Sequence, residues 1–287
     1  MKIWLNGELV DTEDAKVSVL DHGLLYGDGV FEGIRVYNGT IFQCAAHVDR
    51  LYESARTIRL PIALSKQEMT DAMYETLRAN GISDGYIRLL ITRGIGDLGL
   101  NPFICKHSSV IVIADQIALY PPPMYENGLA VVVAEHRRIS PNMLPPSVKS
   151  MNYLNNILAN VEARDAGAGE AIMLNADNHV AEATGDNIFI VRGGTVITPP
   201  VAAGILIGVT RKVTLGLCRQ LGVPAEEKDF RLEELLSADE VFLTGTAAEI
   251  IAVTKVDGTV IGSGKAGPVT RKLLAAFREF IRAECGG

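Results

Sequence analysis

The hydrophobic pattern in the first part of the chain predicts strands with two helices between them. Residues 3–10 and 34–42 alternate like strands and turn at Asn-Gly pairs, which favour tight hairpins. Apolar residues at helical spacing predict a helix over 45–59. Ser65 and Glu68 have the spacing of a capping box, so a second helix is predicted to begin there.

Two further strands are predicted over 86–93 and 109–114. The alternation in the first of them places Tyr86 and Arg88 on one face. A tyrosine and an arginine side by side can line a polar pocket. They can equally form the solvent face of a strand, and the pattern leaves both interpretations open.

A proline-rich segment then interrupts the pattern and includes Pro121, Pro122 and Pro123. We interpret this segment as the connection between two domains. The predicted fold class is α/β, in the two-domain α+β sense. The predicted divisions are a smaller N-terminal α/β domain over 1–118, an interdomain loop over 119–128 and a larger C-terminal domain over 129–287.

The pattern beyond this connection again mixes strands and helices. Apolar residues from Tyr153 to Val161 fall at helical spacing, and Gly167 ends the run. Helical spacing returns after Thr210 and after Pro268. The predicted strands cover 129–134, 171–174, 179–183, 187–191, 195–198 and 240–244.

Composition and charge limit the kind of protein this can be. The 287 residues are 48% hydrophobic and 21% charged, which suits a globular protein with a large core. A net charge of −7 without a basic stripe argues against nucleic acid as the main partner. Apolar runs fall short of a membrane span, and the four scattered cysteines lack metal-ligand spacing. We therefore predict a cytoplasmic protein without a metal site or a membrane contact.

Lys149 follows Pro145 and Pro146 and precedes the helix predicted from Tyr153. The positive end of a helix dipole disfavours a lysine charge by about 0.3–1 kcal/mol, so a lysine there loses its proton more easily. Such an amine suits Schiff-base chemistry. A solvated lysine near a helix start explains the same pattern, and this stretch alone does not distinguish the two.

Two turns of small residues are suited to binding an anion. Gly208 and Thr210 introduce a helix, where unpaired amides and the dipole favour phosphate, although Thr210 could simply cap the helix. Residues 245–250 form a second such turn after a strand. With the amine of Lys149 and the carboxylate of Glu182, the set matches the requirements of pyridoxal phosphate.

Motifs along nearly the whole chain resemble those of the branched-chain amino acid aminotransferases, which are fold-type IV pyridoxal phosphate enzymes. Any one motif could arise by chance, whereas the shared order makes a specific signal. The matching segments are YGDGVFEGIR at 26–35, KSMNYLNN at 149–156, EATGDNIF at 182–189, GVTR at 208–211 and GTAAEI at 245–250.

The resemblance implies pyridoxal 5′-phosphate as cofactor and a role for each matching residue. Lys149 would be the catalytic amine that binds the cofactor aldehyde and moves the proton at the substrate Cα. Glu182 would pair with the pyridine nitrogen and Tyr153 with the ring hydroxyl. The residues implied for the phosphate are Arg50, Val209, Thr210 and Thr246. Those implied for the substrate are Tyr26, Phe31, Tyr86, Arg88, Thr246 and Ala247, with Arg88 also meeting the distal carboxylate of glutamate.

The resemblance further implies a cofactor between the two domains, a homodimer or a larger assembly of dimers, and transamination of L-leucine, L-isoleucine and L-valine with 2-oxoglutarate. Trp4 is the only tryptophan, so Tyr120, Met124 or Tyr125 is expected to replace the tryptophan that walls the pocket in some relatives. The alternatives are a D-amino acid or (R)-amine aminotransferase, an aminodeoxychorismate lyase of the same fold, and a non-catalytic binding protein.

Overall fold

The computed structural model describes residues 1–117 and 120–286, which form two compact units. The first unit comprises Met1–Ile117, Val148–Asn152 and residues 281–286, so Lys149 belongs to it. The second unit comprises residues 120–147 and Tyr153–Phe280. The domain boundary predicted between residues 118 and 119 lies outside the described residues.

An antiparallel sheet forms the centre of the first unit. Its strands are β1 Lys2–Leu5, β2 Glu8–Asp11, β3 Gly29–Tyr37, β4 Thr40–Ile41, β5 Gly85–Thr92 and β6 Ser109–Asp115. They lie in the order β2-β1-β6-β5-β3-β4. The predicted hairpins are confirmed, and Asn6 and Asn38 turn them with φ of 52° and 48°.

The helices of this unit are α1 His22–Tyr26, α2 Cys44–Thr57 and α3 Lys66–Asn80. The capping box at the start of α3 is confirmed, because the Ser65 and Glu68 side chains each bond the other's backbone N–H. Val30 and Ile34 of β3 join the core formed with α2 and α3. Because side chains alternate along a strand, Phe31 lies on the opposite face of β3.

A mixed sheet forms the centre of the second unit. Its strands are β7 Leu129–Val133, β8 Glu170–Leu174, β9 Val180–Ala183, β10 Asn187–Arg192, β11 Thr195–Thr198, β12 Ala225–Glu227, β13 Glu240–Gly245, β14 Glu249–Val256 and β15 Thr259–Val260. The order is β12-β11-β10-β13-β14-β7-β8-β9, with β15 beside β14. Two sheets with helices confirm the predicted mixed α/β class.

Helices α4 Pro122–Asn127, α5 Leu154–Asp165, α6 Val209–Gln220, α7 Leu232–Leu236 and α8 Pro268–Cys285 complete the fold. Helix α4 lies inside the segment that we predicted as an interdomain loop. Proline is tolerated in the first turn of a helix, where its missing N–H is not needed, so the proline run begins α4 instead of excluding it. In the described part of the chain, no helix is long and apolar enough to cross a bilayer.

Helix α5 is confirmed, but its apolar stripe does not form its buried face. The stripe residues Leu154, Ile157, Leu158 and Val161 are exposed by 66%, 54%, 38% and 49%. The buried face consists of the smaller residues Asn156, Ala159 and Ala163. Helical spacing therefore predicted the helix correctly and did not show which side packs on the sheet.

Candidate active site

Lys149 lies on an extended segment beside β3. Its carbonyl accepts a hydrogen bond from Phe31 N at 3.0 Å, and its own N–H donates to Ser54 Oγ at 3.2 Å. The next residue, Ser150, bridges to Val30. The Lys149 Nζ lies 4.6 Å from the centre of the Phe31 ring. These contacts place the amine on the face of β3 that carries Phe31.

The expected influence of a helix dipole on Lys149 is wrong. The N-cap of α5 is Tyr153, which comes four residues after Lys149 along the chain. Dipole effects fall off within the first turn of a helix. The strand-like backbone beside β3, and not a helix terminus, therefore forms the surroundings of this amine.

Phe31, Tyr86 and Arg88 lie together on one face of the first sheet. The Arg88 guanidinium carbon lies 4.8 Å from the centre of the Phe31 ring and 5.6 Å from that of Tyr86. The shared face predicted for Tyr86 and Arg88 is thus present. Tyr26 lies at the end of α1, where its hydroxyl donates to the Leu98 carbonyl at 2.5 Å. This face combines aromatic surface with a positive charge.

Arg35 is a further cation on this face, and sequence patterns gave it no role. It pairs in register with Tyr86 and is only 6% exposed. Among the residues that the structure describes, its Nε has no hydrogen-bond partner. A buried polar group without a partner is costly. The Arg35 Nε therefore favours an anionic ligand at this face. The sequence did not indicate this, because an arginine at an alternating position of a strand is not by itself a sign of a binding site.

Arg50 is held by a buried carboxylate and is not a solvated helix residue. Its Nε and Nη2 each donate to Glu32 at 2.7 Å, and His47 Nδ1 lies 2.8 Å from the same carboxylate. Burial raises the pKa of Glu32, but the Arg50 charge and the His47 and Arg50 hydrogen bonds outweigh it and lower that pKa to about 2. Burial lowers the pKa of His47. Glu32 is therefore an ionised group that orients the guanidinium.

Glu182 is a buried carboxylate on β9 of the second unit, 4% exposed. Its Oε1 accepts a hydrogen bond from Arg138 Nε at 2.8 Å. Its Oε2 accepts from Asn187 Nδ2 at 3.1 Å and from Leu206 N at 3.0 Å. Donors from three separate segments thus fix the orientation of this acid.

Asn187 links Glu182 to the start of α6. Its Nδ2 also donates to the Leu206 carbonyl at 2.9 Å. Gly208 is the N-cap of α6, so Thr210 lies in the first turn and is not the cap. A Cβ on Gly208 would lie 2.0 Å from Asn187 Oδ1. Glycine at the N-cap therefore leaves room for the Asn187 side chain beside the start of α6.

The turn between β13 and β14 contains Thr246 and Ala247, both half-buried. Strand β10 pairs with β13, which places this turn beside the start of β10. A Cβ on Gly245 would lie 1.6 Å from Asp186 Oδ1. The second unit therefore brings its carboxylate, its helix start and its small-residue turn together around Asp186 and Asn187.

The remaining predicted residues have varied surroundings. Tyr153, the N-cap of α5, is half-buried. Among the residues proposed to wall the pocket, Tyr125 is buried and Met124 is 40% exposed. Burial, followed by the charges of two carboxylates, raises the pKa of Tyr120 to about 12. Trp4 lies in the core of the first unit. We therefore still expect a residue other than this tryptophan to wall the pocket.

The donors present in the two units fit pyridoxal phosphate. The cofactor requires an amine for its aldehyde, hydrogen-bond donors for its phosphate and an acid for its pyridine nitrogen. Within the first unit Lys149 could provide such an amine, and within the second unit Glu182 could provide such an acid. The first turn of α6 offers backbone amides that could bind the phosphate. A side chain at the N-cap Gly208 would collide with Asn187, so this helix start requires glycine. The chemistry of this donor set agrees with the cofactor expected from the sequence.

Comparisons with known proteins agree with this chemistry. The family described as Amino-transferase class IV matches residues 29–256. The chain is 49% identical over 286 residues to a putative branched-chain-amino-acid aminotransferase of Methanocaldococcus jannaschii, a match that covers 100% of this chain and 98% of the relative.

Solved structures extend the likeness to the fold. The branched-chain amino acid aminotransferase of Escherichia coli superposes with a TM-score of 0.95 at 38% identity, covering 99% of this chain and 95% of that one. A T.th. branched-chain amino acid aminotransferase complexed with N-(5′-phosphopyridoxyl)-L-glutamate gives 0.93 at 37%, covering 99% and 94%. The chain belongs to the class IV aminotransferases, the pyridoxal phosphate-dependent family that includes the branched-chain amino acid aminotransferases.

Proposed function

We propose that this enzyme transfers the amino group of L-leucine, L-isoleucine and L-valine to 2-oxoglutarate. The face formed by Phe31, Tyr86 and Arg88 carries the proposal, because it offers aromatic surface to an aliphatic side chain and a cation to a distal carboxylate. The relative complexed with N-(5′-phosphopyridoxyl)-L-glutamate supports glutamate as the second amino acid. One pocket would then serve both halves of a ping-pong cycle.

Pyridoxal phosphate supplies an aldehyde that accepts amino groups and a ring that withdraws electrons. Lys149 would hold the cofactor at its aldehyde and would move the proton at the substrate Cα. Glu182 would hold a proton on the pyridine nitrogen, and Tyr153 would hydrogen-bond the ring hydroxyl. The fixed orientation of Glu182 supports its part in this proposal.

The phosphate would be held by the Val209 and Thr210 amides, the Thr246 hydroxyl and Arg50. Unpaired amides in the first turn of a helix favour an anion, and so does the dipole of α6. The bidentate contact with Glu32 supports Arg50 in this role, since it fixes the plane of the guanidinium.

The substrate α-carboxylate would be received by the Thr246–Ala247 turn together with Tyr86, while Tyr26 would line the pocket. Arg35 adds a charge to this part of the pocket. Its support is its burial next to Tyr86 with an Nε that lacks a partner within the described residues. An ionised hydrogen-bond acceptor would satisfy that group.

The enzyme is proposed to be a homodimer in the cytoplasm. Support for the dimer comes from the apolar stripe of α5, whose residues Leu154, Ile157, Leu158 and Val161 are exposed. Contiguous exposed apolar side chains are typical of protein interfaces. Support for a reducing compartment comes from the cysteines, all four of which are free thiols.

The experiment is a panel of donors and acceptors with purified enzyme loaded with pyridoxal phosphate. L-leucine, L-isoleucine and L-valine should each produce glutamate from 2-oxoglutarate, measured by chromatography. Turnover of D-alanine or an (R)-amine without L-leucine would instead establish the alternative aminotransferases. Release of pyruvate from aminodeoxychorismate would establish the lyase. A protein that binds no cofactor and turns over no donor would be the non-catalytic alternative.

A further inference from the structure

Glu182 accepts hydrogen bonds from Arg138, Asn187 and Leu206. Of these three donors, only Arg138 carries a permanent positive charge. It lies beyond the end of β7, where its backbone N–H donates to the Leu174 carbonyl at 2.8 Å. Its side chain is 7% exposed and that of Glu182 is 5% exposed. A guanidinium keeps its proton inside proteins, so this pair places a fixed charge beside a buried acid.

Two asparagines of α5 hold the other side of the guanidinium. Arg138 Nη1 donates to Asn156 Oδ1 at 3.2 Å and to Asn155 Oδ1 at 3.4 Å. Asn155 is itself fixed, because its Oδ1 accepts from Ile139 N at 3.1 Å and its Nδ2 donates to the Arg137 carbonyl at 2.9 Å. The planar fork of arginine spans the distance between α5 and β9, and no other side chain has that shape.

Asn156 carries the connection back to the strand of the acid. Its Nδ2 donates to the Thr184 carbonyl at 2.8 Å, two residues after Glu182. The carboxylate, the guanidinium and the helix thus form a closed buried network. In such a network each group restrains its neighbours, and loss of one leaves the others unsatisfied.

We propose that Arg138 is a positioning residue for the cofactor, which holds Glu182 ionised and in a single orientation toward the pyridine nitrogen. The inference rests on the role proposed above for Glu182. Without a cation beside it, a buried carboxylate tends to take up a proton or turn away. A protonated acid would no longer stabilise the proton on the pyridine ring, and the ring would withdraw electrons less strongly.

The test compares Arg138→Gln with Arg137→Gln, the exposed arginine next to it. The readouts are the dissociation constant of pyridoxal phosphate added to the apoenzyme and the visible absorption maximum of the bound cofactor as pH changes. A lost hydrogen bond to a charged group is expected to weaken cofactor binding in Arg138→Gln by about 10- to 100-fold and to move the absorption maximum. Arg137→Gln should change the dissociation constant less than about twofold.

Arg138→Lys is the variant to measure if Arg138→Gln does not fold. Lysine keeps the charge but lacks the planar fork whose separate nitrogens bond Glu182 and Asn156, so binding should weaken at least about threefold. The wild-type dissociation constant and spectrum in a folded Arg138 variant would overturn the inference, even if its thermal stability fell. Glu182→Gln separates the two proposals. If it leaves the spectrum unchanged, the role of Glu182 is wrong; if it changes the spectrum and Arg138→Gln does not, only the inference on Arg138 fails.

Discussion

Gly33 leaves the space that the hydroxyl of Tyr86 occupies: a Cβ on Gly33 would lie 1.7 Å from Tyr86 Oη and 2.6 Å from its Cζ. The two residues lie on the adjacent strands β3 and β5, where Gly33 is directly opposite Arg88. Any side chain at this position would displace the tyrosine. Glycine at this one position therefore shapes the face that carries Phe31 and Arg88.

We expect Gly33→Ala to raise the KM for L-leucine by about 10-fold or more, because displacing a pocket residue by about 1 Å can cost up to about 100-fold. Overpacking should also reduce the free energy of unfolding by about 1–3 kcal/mol. Steady-state kinetics and urea unfolding measure the two effects. Gly169→Ala is the control, since its Cβ would lie 3.5 Å from Leu129, an ordinary contact. Unchanged kinetics in Gly33→Ala would show that Tyr86 does not line the pocket.

Alanine substitutions at the start and in the middle of α6 should have different effects on cofactor binding. Gly208→Ala would place its Cβ 2.0 Å from Asn187 Oδ1, so the helix start or the Glu182 contact has to shift. We expect pyridoxal phosphate to bind about 10-fold more weakly. At Gly216 a Cβ would meet only Arg219, at 3.9 Å. Gly216→Ala should therefore stabilise the fold by up to about 1 kcal/mol and leave cofactor binding unchanged. Equal affinities in both variants would contradict a phosphate site at this helix.

Caps and turns were predicted correctly because each depends only on residues that are close together in the sequence. The capping box of α3 needs only Ser65 and Glu68, and the first hairpin needs only an Asn-Gly pair. The stripe of α5 shows where this ends. Helical spacing recurs whether a stripe faces a sheet or not, so Ile157 was placed on the helix correctly while its exposure of 54% was not foreseen.

Apart from the shared face of Tyr86 and Arg88, which strand alternation predicted, the residues of the candidate site were proposed from motifs. Arg138 contacts Glu182 across 44 positions of the chain, and nothing around an arginine pair in a loop indicates which of the two is buried. Lys149 was proposed both from its motif and from a helix-dipole argument, and the structure does not support the second of these. Arrangements of this kind depend on which strands pair, and a short stretch of sequence does not determine its distant pairing partner.

Lys149→Ala should reduce turnover by at least about 100-fold, since it removes the group proposed to move the proton. The fold should remain, because the bonds to Phe31 and Ser54 come from the Lys149 backbone. Mass spectrometry after borohydride reduction should show cofactor fixed to the wild type and absent from the variant. Lys66→Ala removes an exposed lysine paired with Asp49 and should behave like wild type. Cofactor fixed to the Lys149 variant would assign the amine to another residue.

Glu32 should make stability depend on pH in the acid range. Its pKa falls from 4.5 to about 2 in the folded chain, so its contribution is complete above pH 4.5 and is lost as the pH falls toward 2. The shift corresponds to roughly 3 kcal/mol. In Glu32→Gln, the free energy of unfolding should therefore fall less steeply with decreasing pH than in wild type, although it starts about 3–5 kcal/mol lower because Arg50 loses its partner. Urea unfolding at several pH values measures both, and Glu8→Gln, at an exposed site, should keep the wild-type slope. Parallel slopes in Glu32→Gln would contradict the assignment.

Arg88 should distinguish the two substrates of the cycle. If its guanidinium meets the distal carboxylate, Arg88→Gln loses a charge-assisted hydrogen bond of about 1.5–3 kcal/mol, and the KM for 2-oxoglutarate rises about 10- to 100-fold. The KM for L-leucine, which has no second carboxylate, should change less than about threefold. Arg88→Lys keeps the charge and should recover part of the loss.

Arg88 also contacts the rings of Phe31 and Tyr86, at 4.8 and 5.6 Å, so a purely structural role has to be separated from recognition of the carboxylate. Loss of those ring contacts would affect both substrates alike, whereas loss of charge affects only the acidic one. The ratio of the two changes in KM is therefore the decisive measurement. Arg78→Gln, at an exposed position of α3, should leave both values unchanged. A ratio near 1 in Arg88→Gln would place recognition of the distal carboxylate elsewhere in the pocket, and Arg35, a buried cation on the same face, would be examined next.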